Sequence, residues 1–366
     1  MNVLVVNAGS SSLKVNLVGE RDAELESHEF KASAGRFKVA ELDKAIRDMN
    51  GIDAVGHRIV HGGPRYSASV PIDARVTAYL RRISDLAPLH MPAALAGIVA
   101  IRKLMPRVPA VACFDTSFHS NMPAAAATYA IPARWREGFG IRRYGFHGFS
   151  HAYSARRASE LLGRPQRQLR IVTCHLGSGA SLAAVDRGRS VDTTMGFTPL
   201  EGLVMATRSG SVDPGMILWL QRHQRMTEQQ LTEALDGGSG LLGLAGTKDM
   251  REVVEKMSVK DERAQLAFDV YVHRLRGCVA AMAAAMGGAD AVVFTGGVGE
   301  NSVQVRSAAA SGLRFLGVEI DAKLNAEWTG DGDISTKSAA TRTLVVHARE
   351  DVEVARDVRR LLSAGR

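Results

Sequence analysis

Apolar positions along this chain fall into two rhythms that alternate from one end to the other. Residues 3–15 read Val-Leu-Val-Val-Asn-Ala-Gly-Ser-Ser-Ser-Leu-Lys-Val. A short β-branched run enters a polar turn of Asn7, Ala8, Gly9, Ser10, Ser11 and Ser12, and alternation resumes through Leu13, Val15 and Leu17. This predicts strand, tight turn, strand. Residues 170–185 repeat the pattern around Gly177, Ser178 and Gly179. A third copy of the logic follows Ala291, where Val292, Val293 and Phe294 lead into Thr295 and the Gly-rich stretch 296–301. Taken alone, the first reads equally as an ordinary hairpin with a serine-rich tip. Two hairpins of one kind, far apart in the chain, predict a duplicated domain whose polar turns face a shared cleft.

Between these runs the period lengthens. Residues 39–49 and 91–104 read as helices, the second with Pro92 in its first turn, where a missing N–H costs little. Residues 150–162 form a third helix closed by Gly163 and Pro165. Strands are predicted at 52–60, 108–114 and 343–347, and a last helix from about Asp351. Such alternation means an α/β protein. A boundary falls near 144–150, ahead of the second hairpin, and no low-complexity linker marks it.

Composition narrows the picture only a little. The chain has 366 residues, enough for two domains, with 46% hydrophobic and 23% charged residues, ordinary for a globular protein. Its net charge of +8 raises the question of nucleic acid. The basic residues are scattered, mostly as pairs such as Arg81-Arg82, Arg142-Arg143 and Arg156-Arg157, with no interleaved aromatics. A solvated surface with an anionic small-molecule site is the better reading, and no nucleic-acid partner is expected. Cys113, Cys174 and Cys278 are odd in number and sit in apolar contexts, as core residues do. The apolar run from Val3 is cut by Asn7 and the serines, unlike a signal peptide. Residues 266–286 are interrupted by Asp269, Arg274 and Arg276, too polar to span a bilayer. A cytoplasmic protein with no membrane partner is expected.

The candidate chemistry lies in the turns and in four further polar segments. The first turn offers hydroxyls, backbone N–H groups and Lys14, which suit a phosphate chain and its metal. Neither common nucleotide fingerprint is present: Gly9 lacks the P-loop spacing, and Gly297-Val298-Gly299 lacks the third glycine of a dinucleotide loop. Residues 55–63 end a strand in Arg58, His61 and a glycine pair. Asp115 follows an apolar strand directly. Residues 142–151 read Arg-Arg-Tyr-Gly-Phe-His-Gly-Phe-Ser-His, and 198–214 hold Glu201, Arg208 and Asp213. Singly, each Arg reads as a surface ion pair and each His as a cap or core position. Four such segments beside three Gly-rich turns point instead to a ligand cleft.

Several ordered motifs together carry a resemblance. Residues 7–14, Gly56-His57-Arg58, His61-Gly62-Gly63, Phe114-Asp115-Thr116, 142–148, His175-Leu176-Gly177, 199–205, 207–210 and 297–301 resemble the acetate kinase family nearly from end to end. The resemblance implies two related actin-like, ribonuclease H-like α/β domains around an ATP cleft. These would be residues 1–147, with the helix 351–366 packing back on them, and 148–350. It implies a homodimer that transfers the γ-phosphoryl group of ATP reversibly to acetate, giving acetyl phosphate and ADP. It also implies a need for Mg²⁺, with Mn²⁺ as a substitute.

By the same resemblance Arg58 holds acetate, Arg208 stabilises the transferring group and His147 donates to it. Asp115 matches the family's catalytic aspartate and is expected to orient the metal or its water. Asn7 and Glu350 match metal-associated positions. Ser10, Ser12 and Lys14 lie near the phosphates. The stretches His175, Leu176, Gly177, Ser178, Gly179 and Gly297, Val298, Gly299, Glu300, Asn301 cradle the nucleotide, with Asp249 and Arg251 at its distal contacts. Val60, Leu89, Phe146 and Pro199 form the pocket for the methyl group. The chemistry agrees, since a carboxylic acid with a pKa of about 4 is already an anion at neutral pH and needs no strong base. What it needs is positioning and cationic clamps.

Three departures from the family pattern stand out. Ser178 replaces the usual Asn, Arg349 and Asp351 flank Glu350 unusually, and the stretch 20–51 is compact. Other readings are a kinase for propionate or another short acyl group, a sugar kinase, and a non-catalytic actin-like ATP module. A sugar site should carry more hydrogen-bonding side chains than the apolar set beside Arg58.

Overall fold

The computed structural model describes residues 1–9, 12–31, 37–88 and 90–363. The chain forms two compact units, one of residues 1–120, 146–153 and 349–366, the other of 121–145 and 154–348. Each is built on one six-stranded mixed sheet.

The first sheet contains β1 (Val3–Ala8), β2 (Ser12–Val18), β3 (Glu24–Lys31), β4 (Ala54–Ile59), β5 (Val70–Pro71) and β6 (Ala110–Phe114), in the order β3-β2-β1-β4-β6-β5. The second contains β7 (Arg170–Leu176), β8 (Ala180–Asp186), β9 (Arg189–Thr193), β10 (Ala291–Thr295), β11 (Gly332–Asp333) and β12 (Arg342–Val345), in the order β11-β12-β10-β7-β8-β9. The two orders are the same topology. In each, an antiparallel meander supplies three strands, two further strands lie parallel to its first, and a two-residue antiparallel strand closes the edge. The duplication read from the two hairpins therefore extends over the whole sheet.

Apolar alternation explains why both faces of the first sheet are covered. Leu4, Val6, Val15 and Leu17 point to one face, where Ala93, Ala100 and Ile101 of the helix Met91–Leu104 join them. Val3, Val5, Val111 and Cys113 point to the other, against Val354, Ala355 and Val358 of the helix Glu350–Ser363. Gly56 lets that second helix approach, because a Cβ there would lie 2.7 Å from Val354 and 2.9 Å from Val358. Cys113 and Cys174 are buried and Cys278 is half-buried, all as free thiols. No described helix is long and apolar enough to cross a membrane.

Three sequence expectations need correction. The third Gly-rich stretch does not repeat the strand-and-turn logic, because β10 runs into the short helix Gly296–Asn301 through Gly296 at φ +77°. The first unit does not run unbroken to 147, since 121–145 joins the second unit, where Tyr129 and Arg143 bond to Glu201. Inside the compact stretch lies β3, unrecognised because its burial alternates only between exposed and half-buried.

Two histidines make the fold sensitive to acid. His57 and His119 are 2% and 0% exposed. Burial pulls their pKa down to about 3 and about 4, in His119 against an opposing bond to the Phe146 carbonyl. Below the usual value of 6.5 the unfolded chain binds protons that the folded chain refuses. Stability is thus complete above that value and falls as pH drops towards 4. Each histidine contributes a slope of about 1.4 kcal/mol per pH unit, or roughly 4 kcal/mol for the pair between pH 6.5 and 5. Urea denaturation at pH 7 and pH 5 checks this; equal stability at the two values would rule it out.

Candidate functional site

In the first unit the polar residues gather where parallel strands end, the usual place for a site in an open α/β sheet. Asn7 and Arg58 are register partners on β1 and β4, and Asp115 follows β6 with its N–H donating to the Ile59 carbonyl at 2.9 Å. The Arg58 guanidinium holds Asp115 through two bonds, Nε to Oδ1 at 2.9 Å and Nη2 to Oδ2 at 2.8 Å. Its Nη1 lies 2.6 Å from Glu350 Oε2 and 3.4 Å from Asn7 Oδ1. Burial works against the arginine's charge, but Asp115 and Glu350 outweigh it and raise the pKa above the usual arginine value. Glu350 reaches this position as the first residue of its helix, while Arg349 turns aside to pair with Asp351 at 2.9 Å.

These oxygens are hard donors, one amide and two carboxylates, gathered on a single positive group. That donor set fits Mg²⁺, which takes few protein ligands and keeps several waters. Lys14 is exposed on β2 as the register partner of Asn7, and Ser12 closes the hairpin by accepting from the Gly9 N–H at 2.8 Å. Ser10 and Leu89 lie outside the described residues.

His147 adopts a left-handed φ of +55°, uncommon for a residue with a side chain. The following Gly148 permits it: its N–H donates to the Asp115 carbonyl at 3.1 Å, and a Cβ there would lie 2.1 Å from that oxygen. The turn that carries His147 is thereby fastened to the backbone of Asp115. Beside it Phe146 is buried edge-on against His61, ring centres 5.4 Å apart. Val60 is half-buried and packs with the cluster of Ile59, Leu80 and Phe114.

In the second unit β7 and β8 meet at Gly177, whose N–H donates to the Gly179 carbonyl at 3.0 Å. Exposed Ser178 accepts from the Ala206 N–H at 3.1 Å, tying this turn to the loop that carries Arg208. His175 is half-buried and Leu176 fully buried. The end of β10 lies close by, since a Cβ on Gly296 would come within 3.0 Å of the Leu176 backbone. Two nearby side chains hold their own loop. Glu300 accepts from the N–H groups of Gly296 at 2.9 Å and Ala348 at 3.0 Å, with His347 Nδ1 2.5 Å from its other oxygen. Asn301 donates to the Gly297 carbonyl at 2.8 Å. Gly297 is exposed, whereas Val298 is half-buried and Gly299 buried. Asp249 caps the helix Met250–Ser258 and pairs with exposed Arg251 at 2.6 Å.

Arg208 is lightly tethered, by Nη1 donating to the Pro199 carbonyl at 3.3 Å and by Asp236 at 3.7 Å from Nε. Burial pulls its pKa below the usual arginine value despite Asp236. Its loop is fixed instead by residues that carried no role in the sequence reading. Arg143 donates to Glu201 at 2.8 Å and to the Thr194 and Met195 carbonyls at 3.2 Å each. Tyr129 bonds to the other Glu201 oxygen and accepts from the Phe197 N–H at 3.0 Å. Arg143, within an Arg pair, and a lone Glu201 were visible in the sequence, but nothing in their spacing joined them, and Tyr129 carried no signal there.

A profile of the Acetokinase family matches residues 18–356. An acetate kinase of Synechococcus is 45% identical, with 99% of each chain covered. The Bacillus subtilis acetate kinase is 41% identical, covering 98% of this chain and 99% of its own. Among solved structures, the Porphyromonas gingivalis acetate kinase superposes with a TM-score of 0.89 at 37% identity, with 99% of each chain covered. A Francisella tularensis propionate kinase gives 0.90 at 35%, covering 97% of this chain and 98% of its own. With a family match over most of its length and full-length relatives at these identities, the chain belongs to the acetokinase family.

Proposed function

We propose that the protein is an acetate kinase, transferring the γ-phosphoryl group of ATP to acetate to give acetyl phosphate and ADP, and the reverse. The observation that carries this reading is Arg58, oriented at the strand ends with two parallel N–H groups fixed on a carboxylate. A planar guanidinium so held is suited to a small carboxylate substrate. An acetate oxygen attacks the γ-phosphorus as the bond to the ADP oxygen breaks, and no proton is transferred. Arg58 orients the acetate. Arg208 and His147 donate to the equatorial oxygens, where positioning and charge carry phosphoryl transfer.

Asn7 and Glu350 would hold Mg²⁺, or Mn²⁺ in its place, with Asp115 orienting the ion or its water, and the ion would supply neutralisation of phosphate charge. Ser10, Ser12, Lys14 and the glycines at 177, 179, 297 and 299 hold the phosphates, with His175, Leu176, Ser178, Val298, Glu300 and Asn301 completing the nucleotide site and Asp249 and Arg251 at its far end. Val60, Leu89, Phe146 and Pro199 receive the methyl group. One added methylene in such a pocket changes binding by only about 1–3 kcal/mol, so propionate is a poorer substrate rather than an excluded one. Incubation with ATP, Mg²⁺ and each short carboxylate, with acyl phosphate trapped by hydroxylamine, tests the reading. The expected order is acetate, then propionate, with no trapped product from sugars. Propionate ahead of acetate would move the assignment to a propionate kinase.

The protein further acts as a homodimer. In support, the helix Pro214–His223 has no buried residue, and Leu218 and Trp219 on it are 62% and 52% exposed. Exposed apolar area of this kind marks a protein contact. Sedimentation should give twice the 39.2 kDa chain mass, and Leu218→Glu with Trp219→Glu should give the single chain. A wild-type monomer would reject the dimer.

A further inference from the structure

A cavity lies in the first unit, apart from the residues assigned above. Side chains alternate across a strand, so His57 projects from β4 to the face opposite Arg58. It lines a cavity of about 280 Å³ with Ile72, Ile98, Ile101, Arg102 and Arg107. Ile98 and Ile101 are 2% and 1% exposed, on the helix Met91–Leu104 that covers this face. The volume lies just under the range of drug-sized pockets, roughly 300–1,000 Å³, and suits a smaller molecule.

Three polar side chains line it. His57 is only 2% exposed, so its imidazole meets this cavity rather than bulk water. Arg102 and Arg107 are exposed at its mouth. Guanidinium groups beside an aliphatic wall, with a buried imidazole within, suit an amphipathic anion. The charged end would meet the arginines, and the hydrocarbon body would displace water from Ile98 and Ile101.

We propose that this cavity is a regulatory site for an aliphatic monocarboxylate longer than the substrate. Occupancy acts through β4, where His57 is followed by the Arg58 that holds Asp115. The site is separate from acetate binding, so its test stands whichever short acid proves to be the best substrate.

Hexanoate is the probe, added to the full-length protein under saturating acetate. The protein carries ¹³C-labelled histidine, and the His57 signal is identified by its absence from His57→Gln. The expected result is a saturable shift of that signal together with a changed turnover. Arg102→Glu with Arg107→Glu should weaken both effects by at least about tenfold while leaving activity without hexanoate unchanged, as expected for loss of a charge-assisted anchor. Ile98→Trp, which fills the cavity, should abolish both by a route that leaves the arginines in place. A His57 signal indifferent to hexanoate would overturn the proposal. So would inhibition that persists unchanged in the charge-reversed protein, which would place hexanoate in the acetate site, or binding without any effect on turnover.

Discussion

Arg208→Ala is expected to lower turnover by a factor on the order of 10³ or more, the range found when a transition-state arginine is removed from a phosphoryl-transfer site. Stability should barely follow. Arg208 bonds to one carbonyl at 3.3 Å and stands 3.7 Å from Asp236, so its removal strands no strong partner. A cost on the order of 1 kcal/mol is expected from the lost hydrogen bond. The loop itself should stay in place, because Arg143, Tyr129 and Glu201 hold it independently of Arg208. Single-turnover rates beside urea denaturation separate the two effects. Unchanged turnover would remove Arg208 from the mechanism.

Arg58→Ala should damage both function and fold. Its side chain is 15% exposed and neutralises Asp115 and Glu350, whose side chains are 2% and 16% exposed. Removing it leaves two carboxylates facing each other with little water, and breaking a buried pair in this way costs about 3–5 kcal/mol. Acetate binding should be lost with it. Arg58→Lys keeps the charge but not the two parallel bonds to Asp115, so stability should largely recover while the KM for acetate stays raised. Adding Asp115→Asn to Arg58→Ala should restore part of the stability and none of the activity. If the double variant were no more stable than the single one, the charge argument would fail.

These two arginines show how far the chain could be read before its structure was known. Both stood out for the same reason, an ionic residue at the end of an apolar run or inside a Gly/Ser/Thr loop, where a core residue would be out of place. The hairpins at 3–15 and 170–185 were equally plain, because β-branched alternation around small polar turns is a local property. The edge strand β3 was not plain. It buries little on either face, so it has no apolar period to read, and the neighbouring β2 decides its conformation. The short helix Gly296–Asn301 was missed because glycine permits a turn and a helix start alike, and the contact with Leu176 selects between them.

Local order, the duplicated sheet and the family were determined by the amino-acid sequence itself, since strand period, turn glycines and motif order are written in neighbouring residues. The three oxygen donors on Arg58, the clasp of Arg143 and Tyr129 on Glu201, and the aliphatic cavity under His57 were decided only by tertiary structure. Each joins residues remote in the chain. Charge pairing and packing act through space, so which carboxylate meets which guanidinium becomes definite only when sheets and helices have closed over them.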